Sequence, residues 1–267
     1  MPGQALGTVV ARLKTILRRS FRLAGFDIVR VLPKSHVMGT FPPRLEYSSI
    51  GQAANYFIHD GYRHRTETTY FDDTRSTDES QREVYRFARE VFDQKRLTKV
   101  CDVGCGSAYK LVRYFGGRDI VGLDVAETCA WLRRKYPHLT WLESDFKNSP
   151  SFRADLVVAS DVIEHILEPD ALLSYIAALS PKYIVLSTPD RNLLGGGSHN
   201  GPPRNPAHVR EWSFAEFDAY VDSRFEVLEH FISNNAQATQ CVLCVPRNDA
   251  APHAEFTTPP SSMSGTT

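Results

Sequence analysis

Residues 100–108 read V-C-D-V-G-C-G-S-A, and this stretch constrains the fold more than any other. An apolar run that stops at Gly-x-Gly and resumes as a helical pattern through Leu111, Val112 and Phe115 reads as a strand turning directly into a helix. Glycine at 104 and 106 lets the backbone come close to a ligand where a side chain would block it. The alternation then repeats: DIVGLDV (119–125), a helical pattern over 126–136, LTWLE (139–143), ADLVVAS (154–160), a helix opening at Pro169, and KYIVLSTP (182–189). Strands separated in this way by helices lie parallel, with helices on both faces of the sheet. The expected fold class is α/β.

The flanks differ from this centre. Upstream, S-T-D-E from Ser76 reads as a capping box for a helix over roughly 77–94, with Val84, Phe87, Ala88, Val91 and Phe92 on one face. Downstream, 190–212 is rich in Gly, Pro and Asn, and Ser213 to Glu216 forms a second capping box with Trp212 and Phe217 as its hydrophobic staple. RFEVLEHFIS (224–233) and ATQCVLCVP (238–246) read as a closing antiparallel hairpin. Within it Cys241 and Cys244 are three apart on a strand and face opposite sides, which makes them core residues and not a redox or metal pair.

These patterns divide the chain into a basic amphipathic helical extension (1–34), an irregular covering segment (35–75), the α/β domain (76–246) and a disordered tail (247–267). The extension carries Arg12, Lys14, Arg18, Arg19, Arg22, Arg30 and Lys34 against Asp27 alone, with an apolar stripe over residues 8–24. Such a helix either docks on anionic lipid or packs on its own domain. No apolar run is long enough to span a bilayer and no secretory leader is evident. Five cysteines in no disulfide or zinc-ribbon spacing suit a reducing compartment, so a cytoplasmic protein is expected, peripheral at the inner membrane surface if the helix docks there. Lys plus Arg equals Asp plus Glu, 31 each, and a zero net charge disfavours a dedicated nucleic-acid binder.

The Gly-x-Gly turn has two readings. Asp124 ends the second strand twenty residues after Gly104, where an acid accepts hydrogen bonds from ribose hydroxyls. A dinucleotide site wants a third small residue, and this chain has Tyr109 there; Asp102 would also repel a pyrophosphate but pair with an ammonium group. The sequence here resembles the class I S-adenosylmethionine-dependent methyltransferases, whose first motif has the form D-x-G-x-G and whose second strand ends in an acid. The resemblance covers about residues 81–246. It implies a Rossmann-like, seven-stranded, mostly parallel sheet with a C-terminal antiparallel hairpin. It also implies that Asp102, Gly104, Cys105 and Gly106 meet the amino-acid part of S-adenosylmethionine, and Asp124 with Val125 the ribose. Asp145 and Phe146 would flank the adenine, and Ser160 and Asp161 would close the site.

Beyond the fourth strand, D-V-I-E-H places Asp161, Glu164 and His165 at i, i+3 and i+4, on one face of a helical turn. His208, in N-P-A-H-V-R-E-W, supplies a second imidazole. Two carboxylates and two imidazoles suit Mg²⁺ or Mn²⁺, which could lower the pKa of a substrate hydroxyl. The pattern is similar to the acid-x-x-Glu-His plus distal His of small-RNA 3′-end 2′-O-methyltransferases and ubiquinone-pathway O-methyltransferases, where the first acid is usually Glu. Two other readings stand beside it: one histidine acting as a metal-free general base, or a purely structural turn.

The Gly-rich loop 195–205 lies where an acceptor lid belongs, and His199, Arg204 and Arg210 are candidate acceptor contacts. A loose similarity to glycan-pathway methyltransferases implies a sugar, lipid-linked saccharide or small polyol as acceptor. The sequence supports, first, methyl transfer from S-adenosylmethionine to a hydroxyl oxygen; second, a nucleic-acid 2′-O-methyltransferase; and, from another class, a cofactor-binding scaffold at a membrane surface.

Overall fold

The computed structural model describes residues 54–69, 75–197 and 199–247. The basic helix expected over 8–24 and nearly all of the expected disordered tail lie outside the described residues. The α/β centre forms as its pattern demands: α1 (Arg82–Gln94), β1 (Lys99–Val103), α2 (Tyr109–Phe115), β2 (Asp119–Asp124), α3 (Ala126–Lys135), β3 (Thr140–Glu143) and β4 (Leu156–Ser160). A 3₁₀ turn (Ile163–His165) then leads to α4 (Pro169–Ala178), β5 (Tyr183–Pro189), α5 (Arg191–Gly195), α6 (Phe214–Asp222), β6 (Phe225–Asn234) and β7 (Thr239–Pro246). The seven strands lie in the order β3-β2-β1-β4-β5-β7-β6. β1 to β5 run parallel, and β7 and β6 are antiparallel to their neighbours.

Strand alternation builds a core on each side of the sheet. Leu156 and Val158 of β4 join α1, α2 and α3 on one face, whereas Val157 and Ala159 join α4 and α6 on the other. Cys241 and Cys244 fall in opposite layers, both fully buried, as strand spacing requires. Because β1 sits between β2 and β4, the crossovers diverge there and leave a crevice at the carboxyl ends of these strands. Asp102, Asp124 and Asp161 stand at that edge.

Two helix starts differ in outcome. The box at Ser213 and Glu216 forms with both reciprocal hydrogen bonds, and Trp212 meets Phe217 with ring centroids 5.9 Å apart. The box expected at Ser76 does not form: α1 starts at Arg82, and its N-cap, Gln81, is left-handed with no side-chain cap. The acid of that sequence, Asp78, is taken by tertiary partners, Tyr114 Oη at 2.8 Å and Arg113 at 3.2 Å, both from α2. Binding across the fold has displaced the local cap.

Residues 56–65 run as an irregular strap against the loop before α6. Trp212 Nε1 donates to the Tyr56 carbonyl at 2.9 Å, Arg63 N–H to the Asn200 carbonyl at 2.9 Å, and Arg65 N–H to the Val209 carbonyl at 2.8 Å. The strap approaches so closely that a Cβ on Gly201, whose φ is +64°, would lie 2.1 Å from the Arg63 carbonyl oxygen.

Phe87, 1% exposed, meets Phe231 edge on at 4.9 Å and ties α1 to the hairpin. Phe87→Ala is expected to cost about 3–5 kcal/mol in urea unfolding. A loss below about 1 kcal/mol would show that this contact does not hold the first core layer together.

Candidate active site

The first half of the site is the turn after β1. Gly104 has φ +70°, and a Cβ there would lie 2.6 Å from Val162 Cγ2, so both the backbone conformation and the space demand glycine. Asp124 fixes the turn to the end of β2: one carboxylate oxygen accepts the Gly106 N–H and the other the Val125 N–H, each at 2.8 Å. Cys105 is buried, and Val125 is 37% exposed beside Asp124. Asp102 is fully buried, accepts from Tyr85 Oη at 2.8 Å through Oδ2, and has no hydrogen-bond partner for Oδ1 among the described residues. Burial pushes its pKa up to about 7, against the opposing pull of Tyr85 and Lys110. A buried carboxylate with one unpartnered oxygen suits a cationic ligand group.

Further along the sheet edge, Phe146 has φ +65° and lays its ring edge on to Tyr175 at 5.5 Å, while Asp145 sits at the surface paired with Lys147. Ser160 Oγ lies 3.0 Å from Ser187 Oγ.

The second half is the group Glu164, His165 and His208, whose ligand atoms all lie within 4.8 Å of one another. Glu164 is fully buried; burial, with Asp161 and Glu211 adding to it, raises its pKa well above the carboxylate range. Thr188 donates to its Oε2 at 3.0 Å, and Oε1 has no hydrogen-bond partner among the described residues. His165 Nδ1 lies 2.9 Å from the Ala207 carbonyl, which can only accept, so Nδ1 holds the proton and Nε2 the lone pair. Burial and the neighbouring His208 push the His165 pKa down to about 4, so its ring is neutral at pH 7. The two imidazoles meet edge to face with centroids 4.9 Å apart. Two imidazoles plus an unpartnered buried carboxylate oxygen fit a divalent cation, and also a hydroxyl that must lose a proton.

Asp161 is not brought into this group. Its backbone is left-handed, φ +54°, so the helical turn begins only at Ile163. Its carboxylate instead accepts from Ser187 Oγ at 2.6 Å and Gln81 Nε2 at 3.0 Å. The shared helical face expected for Asp161, Glu164 and His165 therefore does not form; Glu164 and His165 come together with His208 from a 3₁₀ turn, without Asp161. Arg210 is likewise no acceptor contact: it is 2% exposed, donates to the carbonyls of Ile166 and Leu167, and lies over the Tyr56 ring. Arg204 is exposed, and His199 packs against Gly195. Sequence reasoning missed Tyr85, Gln81 and Glu211. Only Glu211 left a local signal, the i, i+3 spacing from His208.

A family described as a methyltransferase domain matches residues 71–240, well over half of the chain. The chain belongs to this family, the class I S-adenosylmethionine-dependent methyltransferases. It is an S-adenosylmethionine-dependent enzyme with the Rossmann-like sheet of that class. A small RNA 2′-O-methyltransferase of Gallus gallus is 26% identical over 180 residues, which span 55% of this chain and 46% of that protein's length. The methyltransferase domain of bacterial CtHen1-C aligns with a TM-score of 0.52 and 18% identity, over 62% of this chain and 99% of that one. An S-adenosylmethionine-dependent methyltransferase from Clostridium acetobutylicum aligns with a TM-score of 0.50 and 13% identity, over 63% and 93%. At such identities these two structural likenesses speak for the fold.

Gly104→Ala in this methyltransferase forces a left-handed alanine against Val162. A cost of about 1–3 kcal/mol is expected in denaturant unfolding. An unchanged midpoint would mean that the turn relaxes freely.

Proposed function

We propose that this methyltransferase moves the methyl group of S-adenosylmethionine to a hydroxyl oxygen of a sugar, a lipid-linked saccharide or another small polyol, at the Glu164, His165 and His208 group. The observation that carries the reading is the convergence of two imidazoles and one unpartnered, fully buried carboxylate oxygen beside the donor crevice. The sulfonium is already activated, so the protein's part is to align the acceptor oxygen with the methyl group and take up its proton. Asp102 Oδ1 would pair with the ammonium group of the donor, and Gly104 and Gly106 would let the backbone approach it. Glu164, His165 and His208 would hold Mn²⁺ or Mg²⁺, which when bound would supply Lewis acidity to an acceptor hydroxyl. Without a cation, a bare imidazole nitrogen would accept the hydroxyl proton directly.

A second reading has one specific support: the chicken relative is named a small RNA 2′-O-methyltransferase. The acceptor would then be a ribose 2′-hydroxyl. The balanced charge of the chain favours the small saccharide, because an RNA acceptor would be held largely through phosphates. Methyl transfer assayed on glycan and on RNA acceptors across a salt series separates the two. RNA methylation that weakens steeply with salt would replace the first reading with the second.

Exhaustive chelation, His165→Ala and His208→Ala are each expected to lower turnover about 10²-fold or more while S-adenosylmethionine affinity changes less than about threefold. Full turnover surviving both chelation and His208→Ala removes the cation from the reading. Donor binding should also depend on pH. Asp102 is protonated below its pKa of about 7 and then has no charge to offer an ammonium, so affinity should fall as the pH drops from 8 to 5.5. The expected slope approaches tenfold per unit at the acid end, measured by calorimetry on wild type and Asp102→Asn. The same slope in Asp102→Asn would assign the titration to another group.

A further inference from the structure

Glu211 stands behind His208, buried and with its backbone bonded on both sides. Its carboxylate Oε1 lies 2.7 Å from His208 Nδ1, and the residue is 3% exposed. Its backbone is pinned on both sides: its N–H donates to Tyr62 Oη at 3.0 Å, and its carbonyl accepts from Arg191 Nη1 at 2.9 Å. Arg191 is itself fixed by Glu216, 2.7 Å away, and lies over the Tyr62 ring. The backbone that carries this carboxylate is therefore fixed, and Oε1 faces the imidazole.

A carboxylate oxygen facing Nδ1 at this distance favours the tautomer with the ring proton on Nδ1 and the lone pair on Nε2. Asn205 agrees with this polarity. Its Oδ1 accepts the Ala207 N–H at 3.0 Å, which turns its Nδ2 donor toward His208 Nε2 at 2.9 Å. His165 is polarised in the same sense by the Ala207 carbonyl.

We propose that Glu211 is a positioning residue for methyl transfer: it holds the His208 ring through Nδ1 and so presents Nε2, whose lone pair here meets Asn205 Nδ2, to the acceptor hydroxyl or to the cation that would take over that contact. A carboxylate that orients a ligating or basic imidazole through its far nitrogen controls both its basicity and its metal affinity. The second carboxylate expected from Asp161 is thus supplied by Glu211, in an outer position. This inference rests on His208 belonging to the acceptor site proposed above.

The test reads the tautomer first. Long-range ¹H–¹⁵N correlation spectra of the full chain, without added metal, are expected to show His208 protonated at Nδ1 and bare at Nε2. Glu211→Gln, an amide of the same shape, is expected to lose that preference and to lower kcat about 10–100-fold with S-adenosylmethionine affinity unchanged. Glu211→Asp is expected to recover part of both. Titration with Mn²⁺, followed by electron paramagnetic resonance of the free ion, is expected to show binding weakened about 10–100-fold by Glu211→Gln. A wild-type His208 protonated at Nε2, or a Glu211→Gln protein with wild-type tautomer and kcat, overturns the proposal. A tautomer and kcat that depend on Glu211 in a protein that binds no Mn²⁺ keep the positioning role and end the cation part of the reading above.

Discussion

Removing carboxylates from water is the constraint around which this molecule is arranged. Asp102, Asp161 and Glu164 lie at the carboxyl end of the central strands, and desolvation raises the pKa of all three. An unpaired buried charge costs several kcal/mol, so each acid must recruit donors or go neutral. Asp161 recruits Ser187 and Gln81, Asp102 recruits Tyr85, and Glu164 recruits Thr188. The donors come from α1, β5 and the segment leading into α1, which is why elements far apart in sequence meet at this edge. One oxygen each of Asp102 and Glu164 has no such donor among the described residues.

The group of Glu164, His165 and His208 depends on packing beyond its own three residues. His208 sits on a loop without regular structure, yet its neighbours are buried: Ala207, Val209, Arg210 and Glu211 are all at most 6% exposed. Arg210 spends its guanidinium on the carbonyls of Ile166 and Leu167, just after the 3₁₀ turn that carries His165. The Val209 N–H donates to the Glu164 carbonyl at 2.7 Å. The two segments that carry the imidazoles are thus registered against each other by Arg210 and by the Val209–Glu164 contact, in addition to the His165 bond to the Ala207 carbonyl.

How much of this was legible in the sequence follows from the range of the interactions. The alternating centre, the hairpin and the Ser213–Glu216 box depend on period and on neighbours a few residues away, and the structure has them all. Ser76–Glu79 carries the same local code as Ser213–Glu216, but Asp78 is captured by α2, a contact no local pattern encodes. Asp161 fails for a related reason. Helical spacing presumes a right-handed backbone, and the residue is left-handed because the end of β4 turns it toward Ser187. Gly104, Asp124, Glu164, His165 and His208 could be named from their motifs, whereas Tyr85, which bonds Asp102, Gln81, which bonds Asp161, and Glu211, which faces His208, are brought in by tertiary packing.

The strap has a consequence for the loop it crosses. Tyr56 is held against Trp212 and lies 6.0 Å, centroid to centroid, from Tyr220 of α6, so one end of the strap is fixed to the start of that helix. Arg63 and Arg65 fasten the rest to Asn200 and Val209, on either side of His208 in the chain. A segment without regular structure is thereby clamped between the body of the domain and an upstream stretch of the same chain. Its shape is set by a clasp and not by helix or strand periodicity, so a change in the strap would reach His208 without altering any residue beside it.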